Sequence, residues 1–133
     1  MECPVCRESM IVIEYDDIEL DYCVGCMGVW FDAGEIELML GKSGIPFPSE
    51  ALRFRVADTD ARELRRPCPL CGKTMQKVCP EHGRVILDRC PAGEGIWFDA
   101  GEIREVIKES AGAAGDIVLG ALRRYLGEAL AEK

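Results

Sequence analysis

Cysteines at metal-ligand spacing are the residues of this chain that could do chemistry. Two C-x-x-C pairs near its beginning are separated by sixteen residues. Their thiols belong to Cys3, Cys6, Cys23 and Cys26. Each pair can form a tight knuckle, and a hairpin between them would bring four thiolates into the closed tetrahedral cage that suits Zn²⁺. We therefore predict a structural zinc site. An iron-binding electron carrier is the alternative, because iron also accepts four thiolates.

A repeat of this pattern supplies a second set of candidate ligands. The stretch CPAGEGIWFDAGEI at 90–103 matches CVGCMGVWFDAGEI at 23–36, but Gly93 stands at the position of Cys26. Glu94 follows directly, and a carboxylate is an acceptable zinc ligand. The predicted ligands of the second site are Cys68, Cys71, Cys90 and Glu94. The alternative is a second unit that has lost its zinc and is held together by packing.

Cys79 and His82 form a further pair, CPEH, that could complete the second site on paper. If Cys71 and Cys90 end the two arms of a hairpin, however, this pair lies at the hairpin tip, about 25 Å from the knuckle at the rise of an extended strand. We therefore interpret His82 as a turn residue and Cys79 as an unligated thiol.

The elements that position the ligands can be predicted from the residues between them. Alternation at Ile18, Leu20 and Tyr22 in the first inter-knuckle stretch indicates a β-hairpin. In the second stretch, the turn residues PEHG indicate another. GVWF and GIWF then indicate a short third strand in each unit. Asp32 with Glu35, and Asp99 with Glu102, fit capping boxes at the start of the following helices, which explains these acids without catalysis. The Trp-Phe pairs are interpreted as cover for the hairpin core rather than as a platform for stacked bases.

The predicted fold class is a small, metal-stabilised α+β protein. It contains two zinc ribbons, each a β-hairpin with a short third strand, and a short α-helix follows each ribbon. The predicted division of the chain is ribbon one at 1–41, a connector at 42–66, ribbon two at 67–112 and an amphipathic C-terminal helix at 113–133. Units of this size bury too little apolar surface to be stable alone, so we expect the bound metal to stabilise their fold.

CPVC, DYCVGC and GVWFDAGEIE together resemble the transcription-factor-IIB-type zinc finger family of small bacterial and archaeal proteins. The resemblance covers residues 2–40 and, less perfectly, 67–107. It implies a zinc ribbon with an appended helix. The family name derives from a ribbon in a general transcription factor, so the resemblance implies the fold more strongly than a function.

The charge of the chain argues against a general nucleic-acid binder, because such proteins neutralise phosphates with Lys and Arg. The net charge is −8. Residues 1–40 hold ten acids and one basic side chain, Arg7, whereas the stretch from Arg53 to Lys77 is mostly basic. We expect these opposite charges to attract each other within the chain. A transcription-associated factor that uses the basic stretch is the alternative.

The sequence therefore predicts a non-enzymatic, structural zinc protein with two Zn²⁺ ions. We expect a cytoplasmic location, since no apolar signal segment or membrane-spanning run is visible and the cysteine spacing favours metal over disulfides. The expected partner is another protein, of unknown identity, or a second copy bound through 113–133. Neither nucleic acid nor a membrane is expected. A metal or electron carrier with exposed thiols is a further alternative.

Overall fold

The computed structural model describes residues 1–15, 17–43, 53–57, 65–81 and 83–111. Within these ranges the elements in chain order are β1 (Ile11–Tyr15), β2 (Ile18–Tyr22), β3 (Val29–Asp32), α1 (Glu35–Ser43), β4 (Phe54–Val56), β5 (Gln76–Pro80), β6 (Leu87–Arg89), β7 (Gly95–Phe98) and α2 (Glu102–Ala111). The prediction of a small α+β protein is confirmed. His82 and the helix predicted at 113–133 lie outside the described residues.

All the described strands form one antiparallel sheet, in the order β1-β2-β3-β7-β6-β5-β4. The sequence indicated two ribbons and did not predict that they share a sheet. Their third strands, β3 and β7, lie side by side at its centre. A single ribbon would leave the outer edge of its third strand unpaired, and pairing the two edges satisfies the backbone groups of both.

The junction between the repeats is symmetric. Trp30 of β3 lies opposite Trp97 of β7, which is its equivalent in the repeat. The flanking pairs are Val29 with Phe98 and Phe31 with Ile96. These two pairs are equivalent to each other, so an approximate twofold axis relates the repeats and passes between the tryptophans.

Different side chains bury the two faces of the sheet. One face packs against α1 and α2 through aliphatic, methionine and aromatic side chains. Its buried members are Ile18, Leu20, Tyr22, Val29, Phe31, Ile36, Met39, Val78, Leu87, Ile96, Phe98, Ile103, Val106 and Ile107. Phe31 and Phe98 meet there edge to face, with ring centroids 5.5 Å apart. Because side chains alternate along a strand, Trp30 and Trp97 point to the opposite face, where the cysteines lie.

Part of the predicted connector at 42–66 belongs to the sheet. Strand β4 pairs with β5, so that Phe54 lies opposite Pro80 and Val56 opposite Val78. Phe54 also packs against the core on the helix face. The connector therefore extends the sheet as well as joining the repeats, while the exact boundaries of the four segments remain a prediction.

The helix starts differ in one respect from the predicted capping boxes. The Asp99 N–H donates to Glu102 Oε1 at 2.7 Å, as a capping box requires. The Asp99 carboxylate, however, accepts from Trp97 Nε1 at 3.0 Å, and Asp32 accepts from Trp30 Nε1 at 2.9 Å. A buried indole N–H needs an acceptor, and these aspartates supply it. None of the described helices is long and apolar enough to cross a membrane.

Candidate metal centres

The four predicted thiols of the first repeat lie together at the base of the β1–β2 hairpin. Their Sγ atoms, from Cys3, Cys6, Cys23 and Cys26, all lie within 4.8 Å of one another. Cys3 Sγ is 3.6 Å from Cys26 Sγ, and Cys6 Sγ is 3.2 Å from Cys23 Sγ. Sulfurs bound tetrahedrally to one Zn²⁺ at about 2.3 Å lie about 3.8 Å apart. This group therefore fits zinc with little movement.

Three of the four knuckles share one backbone geometry. In each of them the residue four positions after the first cysteine donates its N–H to that cysteine's C=O. These residues are Arg7, Met27 and Gly72, with φ of 66°, 65° and 78°. The left-handed residue reverses the chain immediately after the second cysteine. Both thiols of the pair are thereby turned toward the same side.

Backbone N–H groups inside the knuckles point at the first sulfur. Val5 and Cys6 donate to Cys3 Sγ at 3.3 Å and 3.4 Å. Burial disfavours the thiolate of Cys23, but N–H groups of its own knuckle and the Cys6 thiol outweigh burial and lower its pKa to about 7. At Cys23 the fold thus favours the deprotonated sulfur that metal binding requires, whereas burial raises the pKa of the Cys26 thiol to about 12.

The second repeat brings three thiols together. The Sγ atoms of Cys68, Cys71 and Cys90 lie within 4.8 Å of one another, and Cys71 Sγ is 3.6 Å from Cys90 Sγ. No carboxylate or imidazole of the described residues joins this group. Glu94 is exposed, and its role as the fourth ligand stays a prediction. The alternative ligand His82 lies outside the described residues.

The knuckle that begins at Cys90 departs from the other three. Gly93 donates its N–H to Cys90 C=O, one residue earlier than in the other knuckles, and Gly93 itself has a φ of 81°. The left-handed residue therefore occupies the position where a fourth cysteine would stand. A Cβ built on Gly93 would meet nothing within 4 Å. The space beside this backbone position is therefore open.

Sequence reasoning missed how the two sites are connected. Trp30 and Trp97, both 0% exposed, join them in one buried cluster. The cluster consists of Cys3, Met10, Cys23, Trp30, Cys68, Met75, Cys90 and Trp97. A methyl group at Gly28 would overlap Trp97, and one at Gly95 would overlap Trp30. The sequence feature that could have shown this connection is the glycine five residues after the first cysteine in CVGCMG and CPAGEG. Because it has no side chain, each glycine leaves room for the indole of the other repeat.

The remaining cysteine is separate from both groups. Cys79 is buried in β5, opposite Arg55 of β4, and it belongs to neither thiol cluster. None of the eight cysteines forms a disulfide. The eighth thiol therefore packs in the sheet, as a cysteine without a metal commonly does.

Basic residues of the 53–77 stretch pair with acids of the second repeat. Arg66 Nη1 lies 2.6 Å from Asp99 Oδ2, and Lys77 Nζ lies 2.7 Å from Asp88 Oδ1. Asp88 is 2% exposed, so burial raises its pKa while Lys77 opposes that rise. The first pair joins the start of the second ribbon to the residues just before α2, and the second pair joins β5 to β6. They are local to the second repeat, whereas the sequence led us to expect attraction between the acidic first unit and the basic stretch.

Comparison with known proteins identifies the metal. The family profile described as transcription factor zinc-finger, a zinc ribbon of the transcription-factor-IIB type, matches residues 2–41 and 67–109, which is more than half of the chain. No curated protein and no solved structure matches the chain. The matched segments contain the thiol groups just described, so the metal is Zn²⁺. The chain belongs to the transcription-factor-IIB-type zinc ribbon family and carries two tandem ribbons, the first with four cysteines and the second with three.

Proposed function

We propose that this protein is a non-enzymatic, zinc-stabilised scaffold that binds an extended segment of another protein along β1. The exposed edge of β1 carries this proposal. It is the outermost strand of the sheet, and Ile11 and Val12 are 48% and 62% exposed. Natural edge strands are commonly protected by Pro, Lys or a bulge. The sequence IVIEY contains neither Pro nor Lys, and its pairing with β2 is continuous.

The backbone of β1 has donors available for strand addition. The N–H of Met10 donates to Met1 C=O at 2.9 Å rather than to β2. Successive N–H groups of a strand point to opposite sides, so those of Val12 and Glu14 point to the same side as that of Met10, away from β2. An added strand would accept from these two groups, as in other complexes formed by β-augmentation.

The charges beside this edge favour a basic partner. Glu14 lies directly opposite Glu19 of β2, and its carboxylate raises the pKa of Glu19. Like charges facing each other across a hairpin are destabilising, so a Lys or Arg placed beside them would relieve the repulsion. Val12 and Glu14 share one face of the strand, whereas Ile11 and Ile13 share the other. The partner segment is therefore expected to alternate basic and apolar side chains.

An NMR titration of the zinc-loaded full chain tests this function. The probe is a synthetic peptide of about eight residues, a common strand length, with alternating Lys and Val. A peptide with alternating Glu and Val is the control. We expect the Lys peptide to shift the amide signals of Val12 and Glu14 first. Absence of shifts in β1, or equal binding of the Glu peptide, would contradict the proposal.

Two substitutions at Val12 sharpen the test. Val12→Pro removes one outward N–H, and proline is tolerated where a strand's N–H faces solvent. Val12→Thr keeps the N–H and the branched side chain. We expect Val12→Pro to abolish peptide binding while the spectrum elsewhere stays folded, and Val12→Thr to preserve binding. Equal affinities for the two variants would show that the peptide does not add to this edge.

A transcription-associated or nucleic-acid-binding factor is a second candidate. It is supported by the family's description and by the exposed side chains of Arg53, Arg55 and Arg65 in the second half of the chain. Anisotropy of a labelled DNA duplex, measured from low to physiological salt, tests it. Binding that survives physiological salt and depends on these arginines would favour this candidate over the scaffold. Affinity that collapses with salt would indicate nonspecific charge attraction.

Self-association through residues 113–133 is a further proposal about partners, carried by the apolar spacing of that segment in the sequence. Light scattering of the full chain and of a chain ending at residue 112 tests it. A dimer that becomes a monomer on truncation is expected. Two monomers would exclude this contact.

We place the protein in a reducing compartment, the cytoplasm, because its thiols must stay free to bind zinc.

A further inference from the structure

We infer that the second site holds its zinc through three protein thiolates and leaves the fourth coordination position to a small thiol from solution. This inference does not depend on the partner proposed for β1. It concerns the place where the chain departs from the four-cysteine pattern of its own first ribbon.

Three ligands of the second site are built as in the first. The Cys68 knuckle matches the Cys3 knuckle: both first cysteines donate their N–H to the residue five positions later, at 2.8 Å. In each case a left-handed residue follows the second cysteine. Cys90 likewise receives backbone N–H groups at its sulfur, including that of Ala92 at 3.3 Å. The second site thus keeps three oriented thiols, and its difference from the first is confined to one corner.

Backbone hydrogen bonds hold that corner in its altered shape. Gly93 N–H donates to Cys90 C=O at 3.1 Å, and Cys90 N–H donates to Gly95 C=O at 3.0 Å. The C=O of Glu94 accepts the N–H of Ala33 from the other repeat at 3.1 Å. The loop is therefore fixed by both repeats. In this shape the Glu94 carboxylate lies outside the 4.8 Å group of ligand atoms.

The open corner suits a ligand that is small and soft. Gly93 has no side chain and faces free space, and Cys71, one of the three ligands, is exposed. Three thiolates make a soft donor set, and soft donors go together at zinc. A thiol such as free cysteine would displace water, bind as a thiolate and release its proton to solvent. It would then complete the same four-sulfur set that the first site obtains from the protein alone.

Cadmium-113 NMR of the full chain tests the inference, because the resonance of Cd²⁺ moves downfield as sulfur replaces oxygen among its ligands. Two resonances are expected without added thiol. Titration with L-cysteine should move one of them toward the position of the other, which stays fixed. L-serine and S-methylcysteine, which offer no thiolate, are the controls. Failure of both resonances to respond, or loss of the second as cysteine strips the metal, would overturn the inference.

Two substitutions separate the external thiol from ligands of the chain itself. Glu94→Gln should leave the second resonance in place before cysteine is added, and should change the apparent Kd for cysteine less than about fivefold, the effect of removing one exposed charge. A shift of the second resonance in Glu94→Gln, or in His82→Ala, without added thiol would show that the chain already fills the fourth position. The unchanged resonance of the first site reports in every variant that the protein is folded.

Discussion

The loops 23–28 and 90–95 have the same length and end at equivalent glycines, yet they turn at different residues. Met27 takes the left-handed conformation in the first loop and Gly93 takes it in the second. In both loops the first cysteine still donates its N–H to the final glycine, at 3.0 Å. The hydrogen bond that joins each loop to its third strand is therefore kept, while the residue that closes the metal site differs. Forming the central sheet and completing a zinc cage are separable demands on the sequence.

The surroundings of the two sites suggest why the second can differ. The β1–β2 hairpin of the first repeat lies at the outer edge of the sheet. The four-thiol site connects the chain before β1 to the chain after β2, at the end of the hairpin opposite its turn. The β5–β6 hairpin of the second repeat is flanked by β4 and tied by the Arg66–Asp99 and Lys77–Asp88 pairs. The first hairpin should therefore depend more strongly on its metal.

The largest effect is expected when a thiol of the first site is removed. Structural zinc contributes about 10–16 kcal/mol in small zinc peptides. That is comparable with the whole stability of a domain, about 5–15 kcal/mol. Cys23→Ser should therefore lose the cross-strand NMR contacts between Ile13 and Leu20, whereas Cys90→Ser should keep β5–β6 pairing. Cys79→Ala is the control for losing a buried thiol. Equal loss of structure in Cys23→Ser and Cys90→Ser would remove the difference between the repeats.

The next effect concerns the contact that both repeats share. Gly28→Ala should destabilise the protein by about 1–3 kcal/mol, because its methyl group overlaps Trp97 and overpacking costs this much. Gly25→Ala is the control, since its methyl would meet the Glu8 carboxylate at 3.1 Å and the sulfurs of Cys6 and Cys23 at 3.5 Å and 3.7 Å, which is ordinary contact. Urea unfolding measures both.

A double-mutant cycle with Trp97→Leu isolates this contact. The leucine removes the indole that the methyl group would strike, so the double variant should be more stable than the sum of the single effects predicts, by about 0.5–3 kcal/mol. Additive effects would mean that Gly28 and Trp97 do not meet across the β3–β7 junction.

Much of the molecule could be predicted because it depends on local pattern. Paired cysteines predicted the thiols that the structure brings together, alternating residues from Ile18 to Tyr22 predicted the first hairpin, and the repeated GVWF and GIWF predicted the third strands. The β3–β7 pairing could not be predicted, because Trp30 and Trp97 meet only after two edges distant in the chain come together. Strand β4 is three residues long and carries little periodicity. Gly93 was visible in the sequence, but its left-handed turn depends on hydrogen bonds across the repeats.

A smaller effect is expected from the pH dependence of stability. Burial raises the pKa of Glu102 to about 7, although the hydrogen bond from the Asp99 N–H opposes this rise. The Asp99 and Asp88 carboxylates add to the rise, and Arg66 opposes it. The ordinary pKa is near 4.5, so the folded state binds this proton more tightly than the unfolded state. Its contribution to stability therefore increases as pH falls from about 7 toward 4.5, and is lost as pH rises.

Glu102→Gln tests this contribution, because the amide oxygen can still accept the Asp99 N–H. With both proteins zinc-loaded, the variant should be more stable than the parent at pH 8, and the difference should shrink by about 1 kcal/mol at pH 6. Comparing the two proteins at each pH cancels the titration of the thiols. Glu35→Gln controls for the same change at the first helix. A difference independent of pH would contradict the raised pKa.

The smallest effect on the fold should come from rebuilding the fourth knuckle. In the single variant Gly93→Cys, either the introduced cysteine or Glu94 after it must adopt a left-handed conformation. This costs about 1–2 kcal/mol for a residue other than glycine. Gly93→Cys with Glu94→Gly reproduces the C-P-x-C-G pattern of Cys68–Gly72. The double variant should bind its second zinc about tenfold more tightly than the single variant, as metal competition would measure. Equal affinities would indicate that the turn position does not govern ligand closure.

The central claim, one closed and one open zinc site joined by a shared sheet, is tested most directly by zinc content together with zinc X-ray absorption on the full chain in thiol-free buffer. The account predicts two zinc ions per chain and an average of about three and a half sulfur ligands per zinc, the mean of the four-thiol and three-thiol groups. The remaining scattering should come from oxygen or nitrogen. One zinc per chain with four sulfurs would show that the second ribbon binds no metal, and two zincs with four sulfurs each would show that it is closed.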